Sequence, residues 1–180
     1  MASPIVHNFS KALVDLAVEK GNVAAIHDAA DSLLPRISLP EVRTFLNHPS
    51  VKNGDKKEFF TRIIPEDAPQ ELINLIHLIV DRRYTALLPE ILNEIADLTI
   101  RAQGYEIITV ITAVPFSETE AEQIRVDLEA KWATRIFLKI RVNPNLIGGM
   151  IIQRDDRMYD GSLLGKINGL RRILTEQSVS

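Results

Sequence analysis

The chain changes its pattern at Gly104. Before it, apolar residues recur at helical spacing and proline and glycine stand mainly at the joints. After it, Ile, Val and Thr gather in short runs of strand composition. A chain of 180 residues is long enough to bury two small cores. Helix-only and strand-rich stretches that segregate along a chain build separate layers or separate domains. We therefore expect a helical domain over 1–104 and a small α/β domain over 105–180, divided between Gly104 and Glu106.

The first part parses into six helices, read as a bundle. Ser3-Pro4 opens the first, with Phe9, Leu13, Leu16 and Ala17 at helical spacing, and Gly21-Asn22 ends it and caps a second over Val23 to Leu34. Pro40 suits the first turn of a short helix, Glu41 to Asn47, and Asp55 begins a fourth, Lys56 to Ile64. Asp67 and Pro69 start the fifth, which runs to about Arg83. The sixth runs from about Thr85, with Pro89 near its start, to Gln103.

Beyond Gly104, Glu106 to Val114 reads as a strand that Pro115 ends. Ser117-Glu118-Thr119-Glu120 is a capping box, so a helix follows to about Trp132 with Ile124 and Leu128 inward. Ile136 to Val142 alternates as a half-buried strand does. Next comes Asn143 to Ser162, NPNLIGGMIIQRDDRMYDGS, read as a hairpin feeding a last helix that carries Leu163, Ile167, Leu170 and Leu174 on one stripe. Gly148 and Gly149 within Leu146 to Ile152 mark a bulge or a place where another backbone comes close. Asp155-Asp156 supplies the turn, and Ser162 can cap the helix. The fold class is thus helical with a small α/β part: six helices, then a few strands with two helices.

That segment resembles the C-terminal signature of the delta subunit of F-type ATP synthase, which is similar to the mitochondrial oligomycin-sensitivity-conferring subunit. The pattern is a D/N-P-x-L-I-G-G-x-x-I strand, a short turn, then D-G-S. It falls here on Pro144, Gly148, Gly149, Asp160, Gly161 and Ser162. Two positions depart from it: Asp155-Asp156 stands where Gly-Asp is common, and Leu164 where arginine is common, which leaves that arginine's contact unfilled. Asp tolerates left-handed backbone better than most residues, so the first departure is mild.

The resemblance implies a non-catalytic stator subunit. It would link the catalytic head, through the N-terminal helices of the alpha subunits, to the peripheral stalk, through the C-terminal ends of the paired subunit b. It would resist rotor torque during proton-driven ATP synthesis, on the cytoplasmic face of the bacterial plasma membrane, and touch the membrane only through the complex. In this family the first and fifth helices hold the alpha-subunit helices, which implies a partner groove at Phe9, Ala12, Leu16, Leu75, Leu78 and Ile79.

The residues themselves leave that groove open. Leu72, Ile73, Leu75, Ile76, Leu78, Ile79 and Val80 make Glu71 to Arg83 apolar nearly all round. Such a helix sits centrally in a bundle or buries its second face against a partner. Gly165 and Gly169, four apart on the last helix, fit close packing on the sheet or on another chain, and Arg171 and Arg172 suit a helix C-terminus.

Other classes fare worse. A net charge of −3 with scattered Lys and Arg gives no concentrated basic face for nucleic acid, and zero cysteines exclude disulfide scaffolds and thiolate sites. No apolar run approaches membrane-spanning length, and Met1 to Ser10 lacks a signal-peptide core. His7, His27, His48 and His77 show no metal-ligand spacing. Asp155, Asp156 and Asp160 could suggest a divalent-metal hydrolase, but turn and cap duties explain them better. Gly148-Gly149 lacks the Lys and Ser/Thr of a phosphate loop. No cofactor, metal or catalytic constellation is expected. An adaptor of some unrelated complex is the remaining alternative.

Overall fold

The computed structural model describes residues 3–162, in two compact units that divide between Gln103 and Gly104. The first is helical and the second a small α/β unit. The helix expected after Ser162, with its leucine stripe, glycine pair and arginines, lies outside the described residues.

The first unit holds α1 (Pro4–Lys20), α2 (Val23–Ile37), α3 (Pro40–Asn47), α4 (Asn53–Ile63), α5 (Gln70–Asp81), a 3-10 turn (Thr85–Leu87) and α6 (Leu88–Ala102). Pro4, Pro40 and Pro89 each stand in a first helical turn, where the missing N–H has no partner to lose. Gly21 closes α1 in the left-handed conformation, φ 71°. Three boundaries differ from the sequence reading. α2 runs on through Pro35 to Ile37, because a proline in the last turn removes only one ladder bond. α4 begins at Asn53, ahead of Asp55. The stretch after Tyr84 starts as a 3-10 turn before the α-helix proper.

The core of this unit is mainly apolar. Ile26 and Leu33 from α2, Phe60 from α4, Leu72, Ile76 and Ile79 from α5, and Leu88, Ile91 and Ile95 from α6 are excluded from solvent. Thr99 is buried among them, and its hydroxyl donates back to the Ile95 carbonyl at 2.9 Å and contacts His27 Nδ1 at 3.0 Å. His27 is thereby tied into the packing of α2 on α6.

In the second unit the sheet order is β2-β1-β3-β4, with β1 (Glu106–Thr112), β2 (Ile136–Val142), β3 (Met150–Arg154) and β4 (Arg157–Asp160). β1 and β2 are parallel, and the crossover between them is α7 (Glu118–Trp132). β3 adds antiparallel to the other side of β1, and β4 to β3. Ser117 caps α7 reciprocally with Glu120, as the spacing predicts. Leu128, Ile124 and Trp132 of α7 pack on one face of the sheet, against Ile108, Val110, Ile136, Leu138 and Ile152. The end of the sheet is fixed by Arg154. Its guanidinium donates to both Glu106 oxygens, at 2.6 and 3.0 Å, and lies 4.7 Å from the Trp132 ring centre.

β1 stops two residues short of the expected Val114, because the Thr112 hydroxyl turns to donate to the Val114 carbonyl at 2.7 Å. The glycine pair also stands just before β3 and not inside a strand. Of its two readings, close approach holds at Gly149. That residue has φ 78°, and a Cβ there would lie 2.5 Å from the Gly161 carbonyl oxygen and 2.9 Å from Ser162 Cα. The Gly161 N–H donates to the Met150 carbonyl at 3.0 Å, so the ends of the signature are stitched together through backbone alone.

Candidate docking strip on the first and fifth helices

An α-helix turns about 100° per residue, so one face recurs at i, i+4, i+7 and i+11. On α1 the buried face is Val6, Ser10, Leu13, Val14 and Ala17. One flank round from it runs Ile5, Phe9, Ala12 and Leu16, all at least partly open to solvent. α5 repeats this geometry. Leu72, Ile76, Ile79 and Val80 face the core, while Leu75 is half-buried and Leu78 is 42 % exposed.

These two flanks lie along one seam. At one end Lys20, in the last turn of α1, forms an ion pair with Glu71 in the first turn of α5. At the other the Phe9 and Tyr84 rings meet edge-on, 6.2 Å between centres and 61° between planes. Start therefore meets end, and the helices run antiparallel with Ile5, Phe9, Ala12, Leu16, Leu75 and Leu78 along their shared outer side. The Lys20 ammonium, then the backbone N–H of Glu71 itself, hold the Glu71 carboxyl below the usual carboxylate range, with a smaller contribution from the Asn22 side chain.

Five of the six residues expected on a groove flank this seam. The sixth, Ile79, does not: it is 0 % exposed and belongs to the core stripe, because it lies three residues from Ile76 on the inward side of α5. Ile5, 36 % exposed, lies on the same flank of α1 and was not among the expected groove residues. Its signal was present, since it stands four before Phe9 on the same stripe. Tyr84 and the Lys20–Glu71 pair carried no comparable signal, being contacts between residues far apart in sequence.

The other singled-out residues take local duties. The Ser162 hydroxyl, and then the Ser162 N–H at 2.8 Å, hold the Asp160 carboxyl below its ordinary value. Asp155 occupies the left-handed region, φ 47°, as first residue of the two-residue turn between Arg154 and Arg157. Pro144 lies in a turn in which the Leu146 N–H donates to the Asn143 carbonyl at 3.0 Å. His7 contacts Glu94 at 2.7 Å, and the Ser50 N–H donates to His48 Nδ1 at 3.2 Å. Among the described residues no group of three or more His, Asp or Glu is placed to hold a metal ion, and no helix is long and apolar enough to cross a membrane.

Comparison with known proteins bears on the whole chain. The family model for the ATP synthase delta (OSCP) subunit matches residues 5–174. ATP synthase subunit delta of Heliobacterium modesticaldum is 29 % identical over 175 residues, covering 97 % of this chain and 95 % of that one. The same subunit of Gloeobacter violaceus is 31 % identical over 174 residues, covering 95 % and 94 %. A chain from the mitochondrial ATP synthase hexamer of Toxoplasma gondii shares the fold with a TM-score of 0.77, over 96 % of this chain and 98 % of that one, at 14 % identity.

Proposed function

Because the chain belongs to the ATP synthase delta (OSCP) subunit family, whose members are structural subunits and not catalysts, we propose that it is the stator link between the catalytic head and the peripheral stalk. The observation that carries this reading is the apolar seam of α1 and α5. Folding has satisfied the inner faces of both helices and left Leu16 and Leu78 with 36 % and 42 % of their surface in water. An amphipathic helix laid on such a strip removes that surface from solvent and is read through anchors at i, i+3, i+4 and i+7. Its occupant in this proposal is the N-terminal helix of an alpha subunit of the head.

The second unit then holds the C-terminal ends of the subunit b pair. The head must not turn with the central shaft, and a link with one interface on each unit resists torque better than a link with a single interface. The helices before Gly104 act as a bundle that presents the strip. The subunit lies on the cytoplasmic face of the bacterial plasma membrane, held there by the complex, and serves proton-driven synthesis without binding nucleotide.

A synthetic peptide of the alpha-subunit N-terminal helix, titrated into the full chain, tests the first interface. Saturable binding at micromolar concentration is expected. Leu78→Asp should weaken it roughly tenfold or more, since a carboxylate on the strip must be desolvated, while circular dichroism stays unchanged. No binding by the unaltered chain, or an unfolded variant, sinks the assignment. Crosslinking of residues 105–160 to subunit b in the assembled complex tests the second.

A further inference from the structure

The strip on α1 and α5 is apolar along its length and charged at its ends. On α5 the outer stripe reads Glu71, Leu75, Leu78 and Arg82, at i, i+4, i+7 and i+11, so all four stand on one face. On α1 the stripe of Phe9, Ala12 and Leu16 continues to Glu19. Glu71 is taken up by Lys20. Glu19 and Arg82 are both exposed, and the side chain of neither forms a hydrogen bond or ion pair with any described residue. Their charged neighbours on the two helices are paired: Asp15 with Lys11 at 3.3 Å, Asp81 with Lys57 at 2.7 Å and His7 with Glu94 at 2.7 Å. Arg83, which follows Arg82, is exposed as well and adds to the cationic character of that end.

Because α1 and α5 run antiparallel, Glu19 lies at the Lys20–Glu71 end of the seam and Arg82 at the Phe9–Tyr84 end. From Glu71 to Arg82 the stripe rises about 16 Å, roughly twice the screening length of about 8 Å at physiological ionic strength. Each charge therefore acts on what lies at its own end. The dipoles of α1 and α5 oppose one another and nearly cancel for a third helix laid along both, so the choice of direction falls to the side chains. Such a helix carries partial positive charge at its N-terminus and partial negative charge at its C-terminus.

We propose that Glu19 and Arg82 set the direction in which the strip takes up its helix, with the N-terminal end beside Glu19 and the C-terminal end beside Arg82. The bound helix then runs parallel to α5 and antiparallel to α1. This rests on the reading of the strip as the seat of an alpha-subunit N-terminal helix, and it adds to that reading a direction and the two residues that select it. Apolar burial supplies affinity whichever way the helix lies, while the end charges discriminate between the two orientations.

The test titrates the full chain with a synthetic peptide of the alpha-subunit N-terminal helix that carries a nitroxide at one end or the other, and follows the backbone amides. A label at the N-terminal end should broaden Leu16 to Lys20 and Glu71 most strongly, and one at the C-terminal end Leu78 to Tyr84. The reverse pattern, or equal broadening from both labels, overturns the direction and leaves the groove reading in place. Absence of binding sinks both. Glu19→Lys and Arg82→Glu, each at an exposed position, should weaken binding roughly twofold to fivefold at low salt, less as salt is raised. An unchanged affinity in both variants, or a loss that salt does not diminish, also overturns the proposal.

Discussion

Helix α5 and the segment Asn143 to Ser162 hold their places by opposite means. α5 does so with side chains: Leu72, Ile76, Ile79 and Val80 fill the core, and the flank that remains, Leu75 and Leu78, stays partly in water. The segment buries few large side chains, Leu146 being the one in the core range. Its shape comes from backbone meeting backbone, with Gly149 against Gly161 and Ser162 and the Gly161 N–H on the Met150 carbonyl. A region built on close backbone approach has no tolerance for one added carbon, whereas a helix with a spare flank tolerates change on that flank and on no other.

Gly149→Ala should break this contrast most severely. The new Cβ meets backbone that cannot swing aside, and the left-handed φ adds strain, together roughly 4 kcal/mol or more. Amide hydrogen exchange should show protection lost in β1 and β3 while α2 and α6 keep theirs. Retained protection in β3 would mean that the close approach relaxes freely.

Next comes Ile79→Ala, which opens a cavity in the first core and should cost about 3 kcal/mol, measured as a drop in urea midpoint. An Ile79 variant as harmless to stability as one at Leu78 would place both residues on the same face and contradict the two-flank description of α5.

A gain is expected from Ala133→Gly. Ala133 closes α7 in the left-handed region at φ 52°, so removing its Cβ should raise stability by about 0.5–1 kcal/mol in a thermal melt, less the extra freedom glycine has when unfolded. A lower melting temperature would show that chain entropy outweighs the strain.

The smallest effect concerns Glu71, whose carboxyl sits below its ordinary value of 4.5 because Lys20 donates to it. A depressed carboxyl contributes stability that is present above the ordinary value and fades as pH falls through the folded one. The unaltered chain should therefore lose slightly more stability than Glu71→Gln between pH 6 and pH 3, compared by urea midpoints. Equal losses would show that the pair closing the seam adds nothing.

Much of this was legible in sequence because the signals are local. Ser117 to Glu120 capped α7 as its spacing required, the Ile136 to Val142 alternation placed β2 to the residue, and the change at Gly104 coincides with the division of the two units. The misreadings concern competition between local and distant partners. The Thr112 hydroxyl turns to the Val114 carbonyl where β1 ends, and of the two readings of the glycine pair the close approach, to Gly161, is the one that holds. Ile79 could not be separated from Leu78 by composition, since both are large and apolar and adjacent on a helix that is apolar nearly all round.

By itself the sequence determined the kinds of element, their order and the family, because caps, turn residues, apolar period and the Gly-Gly to Asp-Gly-Ser spacing act over a few residues. Only the tertiary structure decided which flank of α5 faces water and that Lys20 and Tyr84 mark the two ends of the seam with α1. Burial is settled by what packs opposite, and residues far apart in the chain set it.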